Sequence, residues 1–183
     1  MAQVKSEIRE YAESLAIAIV LALFIIFFVA QSFLVQGSSM EPTLKDGERL
    51  LVDKVTYRFR EPRRGEIIVF GYPQDPRRKF IKRVIGIPGD VVEIRNRTLY
   101  VNGEPIEEAY IRGPMYQPYG PIVVPEGTVW VLGDNRNNSE DSRFPDVGPV
   151  PRRNVVGRAI LRYWPVTKVG LILPPEALAS VGR

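Results

Sequence analysis

Hydrophobic positions fall into two regimes along the chain. Residues 15–35 (LAIAIVLALFIIFFVAQSFLV) contain no charged side chain, and Gln31 and Ser32 near the far end are the clearly polar members. As a helix rising about 1.5 Å per residue, this run spans roughly 30 Å, the thickness of a bilayer's hydrocarbon core. A cleaved secretory signal has a shorter apolar region, of about 7–15 residues, followed by small residues at its cleavage point. Here Phe28, Val29 and Ala30 put bulk where a small residue is needed. The run therefore predicts an uncleaved anchor helix, ahead of the signal-peptide and buried-core readings.

Past residue 35 the pattern changes to short runs rich in Val, Ile and aromatics. They fall at 48–53, 66–70, 79–87, 91–94, 98–101, 128–132 and 155–163, bounded by Gly, Pro, Asn and Asp. Such runs predict strands. Asn102-Gly103 between two of them predicts a tight hairpin. The 16 prolines sit mainly between the runs, where they punctuate loops. After the anchor a helical period is expected only as a short turn near 175–180. The expected fold is mainly β: an antiparallel-sheet domain with long loops, preceded by one N-terminal transmembrane helix. Its divisions are a tail over 1–14, an anchor over 15–35 and a β domain over 36–183. Within that domain 90–127 forms a small accessory subdomain or flap, and the Gly-, Pro- and Tyr-rich stretch 103–127 is expected to project rather than join a core.

Charge adds little. The net charge is +4, and no basic stripe or recognisable module points to nucleic acid. A mildly basic domain tied to a membrane can lean on anionic head groups, although an ordinary solvated surface explains the charge equally well. Lys5 and Arg9 precede the anchor and Lys45, Arg49 and Lys54 follow it, a balance that leaves orientation open. What composition excludes is more telling. The chain has no cysteine and no histidine. That rules out disulfides, a thiol nucleophile, zinc-thiolate and histidine metal sites, and a Ser-His-Asp triad. Acid–base chemistry near neutral pH must come from a carboxylate, a lysine or a tyrosine with a displaced pKa. No metal or cofactor is implied.

Three stretches could carry such chemistry. Ser39 lies four residues past the apolar run, in a loop made by Gly37, Ser38 and Pro42; a plain juxtamembrane linker has the same composition. Lys82 sits in the apolar run FIKRVIG, where alternation sends it opposite Ile81 and Arg83. A half-exposed strand lysine is the ordinary case, but a desolvated lysine loses its proton more readily and can activate a serine. The third stretch, 133–143 (GDNRNNSEDSR), is dense in hydrogen-bonding groups; its Asp and Arg residues can pair, or the loop can simply be a solvated turn. Neither a G-x-S-x-G elbow nor a Ser-x-x-Lys motif is present.

GSSMEPTL at 37–44, GERLLVDK at 47–54, RRGEIIVF at 63–70, FIKRVIGIPGD at 80–90 and GDNRNNSEDSR at 133–143 occur in this order behind one anchor. Together they resemble the boxes of bacterial type I signal peptidases. The resemblance implies a Ser/Lys-dyad endopeptidase, with Ser39 as nucleophile and Lys82 as general base. It implies that Ser139 holds the lysine amine, that Asp141 and Arg143 form a supporting ion pair, and that Arg83 supports Lys82. The Ser39 backbone N–H matches an oxyanion donor. Gly37 occupies a position where some relatives carry a second donor, a serine, that is absent here. Val35, Met40, Leu44, Phe80 and Ile81 are expected to flank or line pockets for small Ala-x-Ala side chains. Expected partners are preproteins with signal peptides, the bilayer and a nearby export translocon. The expected location is the plasma membrane, single-pass, with the amino terminus cytoplasmic and the β domain outside. Two rivals stay open: a Ser/Lys protease maturing a narrow substrate set, and a membrane-tethered β module that binds without cutting.

Overall fold

The computed structural model describes residues 2–24 and 29–182. Helix α1 (Ala2–Phe24) is charged in its first half and apolar from Leu15 onwards. Leu15, Ile17, Ile19, Val20 and Leu21 are each more than half exposed. Among the described residues, no helix is long and apolar enough to cross a membrane. The expected continuous helix over 15–35 is corrected at its far end. Ala30–Leu34 form strand β1, antiparallel to β2 (Arg49–Asp53) in register from Ala30 opposite Asp53 to Leu34 opposite Arg49. The middle of the expected span, 25–28, lies outside the described residues. An apolar run alone does not separate helix from strand. Here the edge of β2 supplies backbone partners for 30–34, and Phe33 and Val35 reach a core.

The strands that follow are β3 (Ile67–Gly71), β4 (Lys79–Gly86), β5 (Val91–Arg95), β6 (Thr98–Val101), β7 (Glu104–Pro105), β8 (Tyr119–Val123), β9 (Thr128–Leu132), β10 (Val150–Pro151), β11 (Val155–Trp164) and β12 (Gly170–Leu171). All pairings are antiparallel. The larger sheet runs β1-β2-β11-β3-β4-β9-β10, with β12 beside β11; the smaller runs β7-β6-β5-β8. Both strand runs expected at 98–101 and 128–132 coincide with β6 and β9. Asn102 (φ 54°) and Gly103 (φ 83°) close the β6–β7 hairpin, the left-handed pair that a two-residue turn requires.

The region 103–127 is mostly exposed but is tied to a core at three points. Ile106, Met115 and Val124 are buried with Val92, Leu99 and Trp130, in a core shared by the smaller sheet and β9. The chain's tail folds back onto the same core. Helix α2 (Glu176–Ala179) brings in Leu178, fully buried, followed by Val181, while Arg64 Nη1 donates to the Val181 carbonyl at 2.8 Å. A second core holds Ile68, Phe70, Val84 and Val131, and a third holds Val35, Met40, Leu50 and Val69. The central strands β3 and β4 lie between these cores, so both faces of β4 are covered from Lys82 onwards.

Removing the Leu178 side chain should leave a cavity in a site with little room to collapse. Leu178→Ala is expected to cost about 2–5 kcal/mol of folding stability, read from denaturant unfolding of the full chain in detergent. A loss near zero would mean that the tail does not contribute to the core.

Candidate active site

Ser39 is held from both sides by buried neighbours. Val35 continues the β1–β2 pairing through hydrogen bonds with Glu48 and Gly47, and Met40 and Leu44 plug into the third core. A distant loop grips the backbone between them. The Asn135 amide N–H donates to the Ser39 carbonyl at 3.0 Å, and Asn135 Nδ2 donates to the Ser38 carbonyl at 3.0 Å. Asn138 Nδ2 donates to Ser38 Oγ at 2.9 Å. Among the described residues the Ser39 N–H has no acceptor, so it is available to an incoming oxygen.

Lys82 lies on β4, opposite Ile68 of β3. It is 4% exposed, and its Nζ donates to Ser39 Oγ at 2.7 Å. Phe80, two residues earlier and so on the same side of the strand, stacks on Tyr72 and places its ring 5.2 Å from the amine. Burial lowers the amine's pKa to about 8, against an opposing pull from the carboxylates of Asp141, Glu140 and Asp134. An amine with that value is partly neutral near physiological pH and can accept a proton from the hydroxyl it touches.

Arg83, the next residue, faces the other way. Its guanidinium makes a two-pronged bond to Asp134, at 2.8 and 2.6 Å, donates to the Gly65 carbonyl at 2.8 Å and stacks over Tyr110. Both ion-pair partners are almost wholly buried. This pair joins β4 to the loop after β9, the loop that carries Asn135 and Asn138. Asp141 and Arg143 pair as expected, at 2.8 and 2.9 Å, and Asp141 Oδ2 also accepts the Gly133 N–H at 3.0 Å. Ser142 exchanges hydrogen bonds with Val131, closing the loop back onto its own strand.

The expected bond between Ser139 and the lysine amine is not formed. Ser139 Oγ is buried, and among the described residues it has no hydrogen-bond partner. It lies instead against Gly133, where an added Cβ would run into both Ser139 Oγ and the Ser39 carbonyl. Gly133 is thus the spacer that lets the 133–143 loop approach Ser39, a role that the sequence reading missed because its cause lies in a residue far away in the chain. Asn135, Asn138 and the buried Arg136–Glu108 pair (2.6 and 2.5 Å) were likewise missed as individual contributors. Gly37 has φ +84°, a backbone state that strains a residue with a side chain, and its N–H is spent on Asp46 Oδ1 at 2.7 Å. Neither its amide nor a serine in its place suits this backbone as an oxyanion donor.

A groove of about 650 Å³ runs over the Ser39–Lys82 contact, and Val35, Met40, Phe80 and Ile81 line it. Leu44 does not line it: it is 1% exposed and belongs to the core, which corrects its expected pocket role. Along one wall, residues 79–82 pair with β3 on their inner edge, but β9 covers the outer edge only from Arg83 onwards. Among the described residues that short outer edge is unpaired, so its backbone groups face the groove.

Two outcomes follow. Gly133→Ala forces apart Ser39 and the loop that holds it; overpacking of this kind costs about 1–3 kcal/mol, and hydrolytic turnover by the folded protein should fall by at least about a hundredfold. Unchanged turnover would show that the spacing is not needed. For Lys82, the folded pKa of about 8 lies below the ordinary lysine value of 10.5. The charged amine is therefore penalised on folding: the penalty is complete below about pH 8 and disappears as pH rises to about 10.5. Lys82→Met should stabilise the chain at pH 7 by about 1–3 kcal/mol, with the gain shrinking in melts between pH 8 and 10.5. A gain independent of pH would place its source elsewhere.

The chain is similar to known proteins over most of its length. Residues 8–164 match the family model described as "Signal peptidase, peptidase S26". Signal peptidase I of Leptolyngbya laminosa is 44% identical over 180 residues, covering 94% of this chain and 87% of that protein. The probable signal peptidase I-2 of Synechocystis is 46% identical over 168 residues, covering 89% and 76%. A solved signal peptidase I from Enterococcus faecalis V583 is 35% identical, with a TM-score of 0.46 over 54% of this chain and 97% of that one. With most of its length matched by the family model and by relatives well above 30% identity, the chain belongs to the signal peptidase family, peptidase S26.

Proposed function

We propose that Ser39 is the nucleophile and Lys82 the general base of a signal-peptide-cleaving serine endopeptidase. The observation that carries this reading is the 2.7 Å contact between a buried lysine amine and a serine hydroxyl on the floor of a groove. A preprotein segment lies extended between the end of β1 and the unpaired outer edge of residues 79–82, adding a strand to the sheet. Side chains of Val35, Met40, Phe80 and Ile81 leave shallow apolar space that suits small residues before the cut. Neutral Lys82 takes the Ser39 proton as Oγ attacks the scissile carbonyl carbon. The resulting oxyanion receives the Ser39 N–H. Collapse of the tetrahedral species breaks the C–N bond, and Lys82 returns the proton to the departing amine. Lys82 then takes a proton from water as it attacks the acyl ester, and returns that proton to Ser39 Oγ as the acyl C–Oγ bond breaks. Asp141 and Arg143 keep the 133–143 loop in shape, and Arg83 with Asp134 anchors it to β4.

The uncharged stretch that begins in α1, with its exposed Leu15, Ile17 and Val20, and runs on to β1 anchors the chain in the membrane. The amino terminus lies in the cytoplasm and the β domain outside the plasma membrane, near the translocon, where signal peptides emerge. The short path from β1 to Ser39 then keeps the nucleophile close to the membrane surface.

Wild type, Ser39→Ala and Lys82→Ala are to be compared on a preprotein with an Ala-x-Ala site, in detergent. Both variants should fold and lose at least about a thousandfold in kcat/KM; substantial turnover by folded Lys82→Ala would remove the lysine from the mechanism. Because the base works in its neutral form, wild-type kcat/KM should rise with pH and level off above about 8, following the amine. A profile flat from pH 6 to 9 would point to another base. Protease added to intact spheroplasts should digest the β domain, and full protection would reverse the orientation.

A further inference from the structure

Glu140 stands where two grooves meet. One is the groove over Ser39 and Lys82. The other, of about 520 Å³, is walled by Tyr116, Tyr119, Asn138, Ser139 and Phe144, and Glu140 lines both. The divide between them is the clamped turn itself, since Asn138, on the wall of the second groove, holds Ser38 Oγ.

Charge at this junction is lopsided. Arg143 and Arg136, which also line the second groove, are matched by Asp141 and Glu108. Glu140 is exposed and joins no ion pair among the described residues. It is the one acidic side chain lining the catalytic groove among those residues, facing the cations Arg77, Arg78, Lys79 and Lys82 contributed by the β4 side of the same groove. Its carboxylate also acts on the Lys82 amine, raising its pKa against burial. A charge felt by the base is within electrostatic reach of the bond being cut.

A substrate strand that runs along the unpaired edge of residues 79–82 delivers its scissile carbonyl to Ser39 and must continue past it. The second groove opens on the far side of that turn. We propose that this groove receives the first residues of the mature protein, and that Glu140 selects their charge, favouring a basic over an acidic residue directly after the cut. The proposal rests on the processing-protease reading above. Tyr116, 69% exposed on the groove wall, offers an aromatic face to the departing segment.

The test uses peptides that share one Ala-x-Ala site and carry Lys, Gln or Glu as the first residue after it. Ratios of kcat/KM within each enzyme cancel any general loss of activity. At low salt the full-length wild type should prefer Lys over Glu by about fivefold. Glu140→Gln should bring the ratio near one, and so should high salt in wild type. In a second series the mature part is lengthened from one residue to four. Wild type should gain in kcat/KM as remote contacts are added, and Tyr116→Ala should lose most of that gain. A Lys/Glu ratio near one in wild type, or the same ratio in Glu140→Gln, overturns charge selection. No gain with length, or an equal gain in Tyr116→Ala, overturns the assignment of the groove. If wild type cuts none of the peptides, the processing-protease reading itself fails, an outcome distinct from cleavage without selectivity.

Discussion

A lysine amine withdrawn from water pays for its position in folding free energy, and the rest of the site depends on keeping it there. Lys82 Nζ is buried, touches Ser39 Oγ, and loses its proton near pH 8 because desolvation outweighs three carboxylates nearby. Histidine would provide a base near neutrality without such burial, but the chain has none. The covered face of β4 therefore has a chemical as well as a packing role. Phe80 and Tyr72 shield one side of the amine, while Ile68 and Val84 fill the core beneath the same strand. The unfavourable burial of one charge is tolerated because the strand that carries it lies between cores already dense with apolar side chains.

The second constraint is closeness. The turn at Ser38 and Ser39 and the loop after β9 meet backbone to backbone, and Gly133 leaves no room for a side chain between them. Asn135 then binds two consecutive carbonyls of the turn. On the opposite face of β4 the Arg83–Asp134 pair fixes the same loop. A buried pair of this kind adds little net stability but is costly to break on one side, so its effect is chiefly to hold the loop in one place. Adjacent residues of one strand thus divide the work: Lys82 meets the hydroxyl, and Arg83 secures the loop that positions it.

Much of this was legible in the sequence, and the rest was hidden for identifiable reasons. Strands β6 and β9 were readable end to end because their Val, Ile and aromatic runs are bounded by turn residues. Lys82 stood out because no histidine competes for its role. Strand β1 was absorbed into the apolar run before it, since composition does not mark where a helix would yield to a sheet edge. Strand β8 escaped notice because it contains Gly120 and Pro121, and β10 and β12 because two residues make no pattern. Leu44 looked like a pocket residue from its place beside Ser39, yet it turns inward. Ser139 was expected to hold the amine, but its hydroxyl faces Gly133 without a partner. Gly133 and Asn135 carry no local signature, because what makes them matter is a contact with residues far away in the chain.

That distance has a bearing on synthesis. Asn135 and Ser38, and likewise Asn138 and Ser38, are joined across 97 and 100 residues. The turn bearing the serine leaves the ribosome about a hundred residues before the loop that holds it. Contacts so far apart in sequence form late and only after large loops are closed. A chain not yet extended to residue 138 therefore carries Ser39 and Lys82 without the Asn135 and Asn138 clamp on the turn.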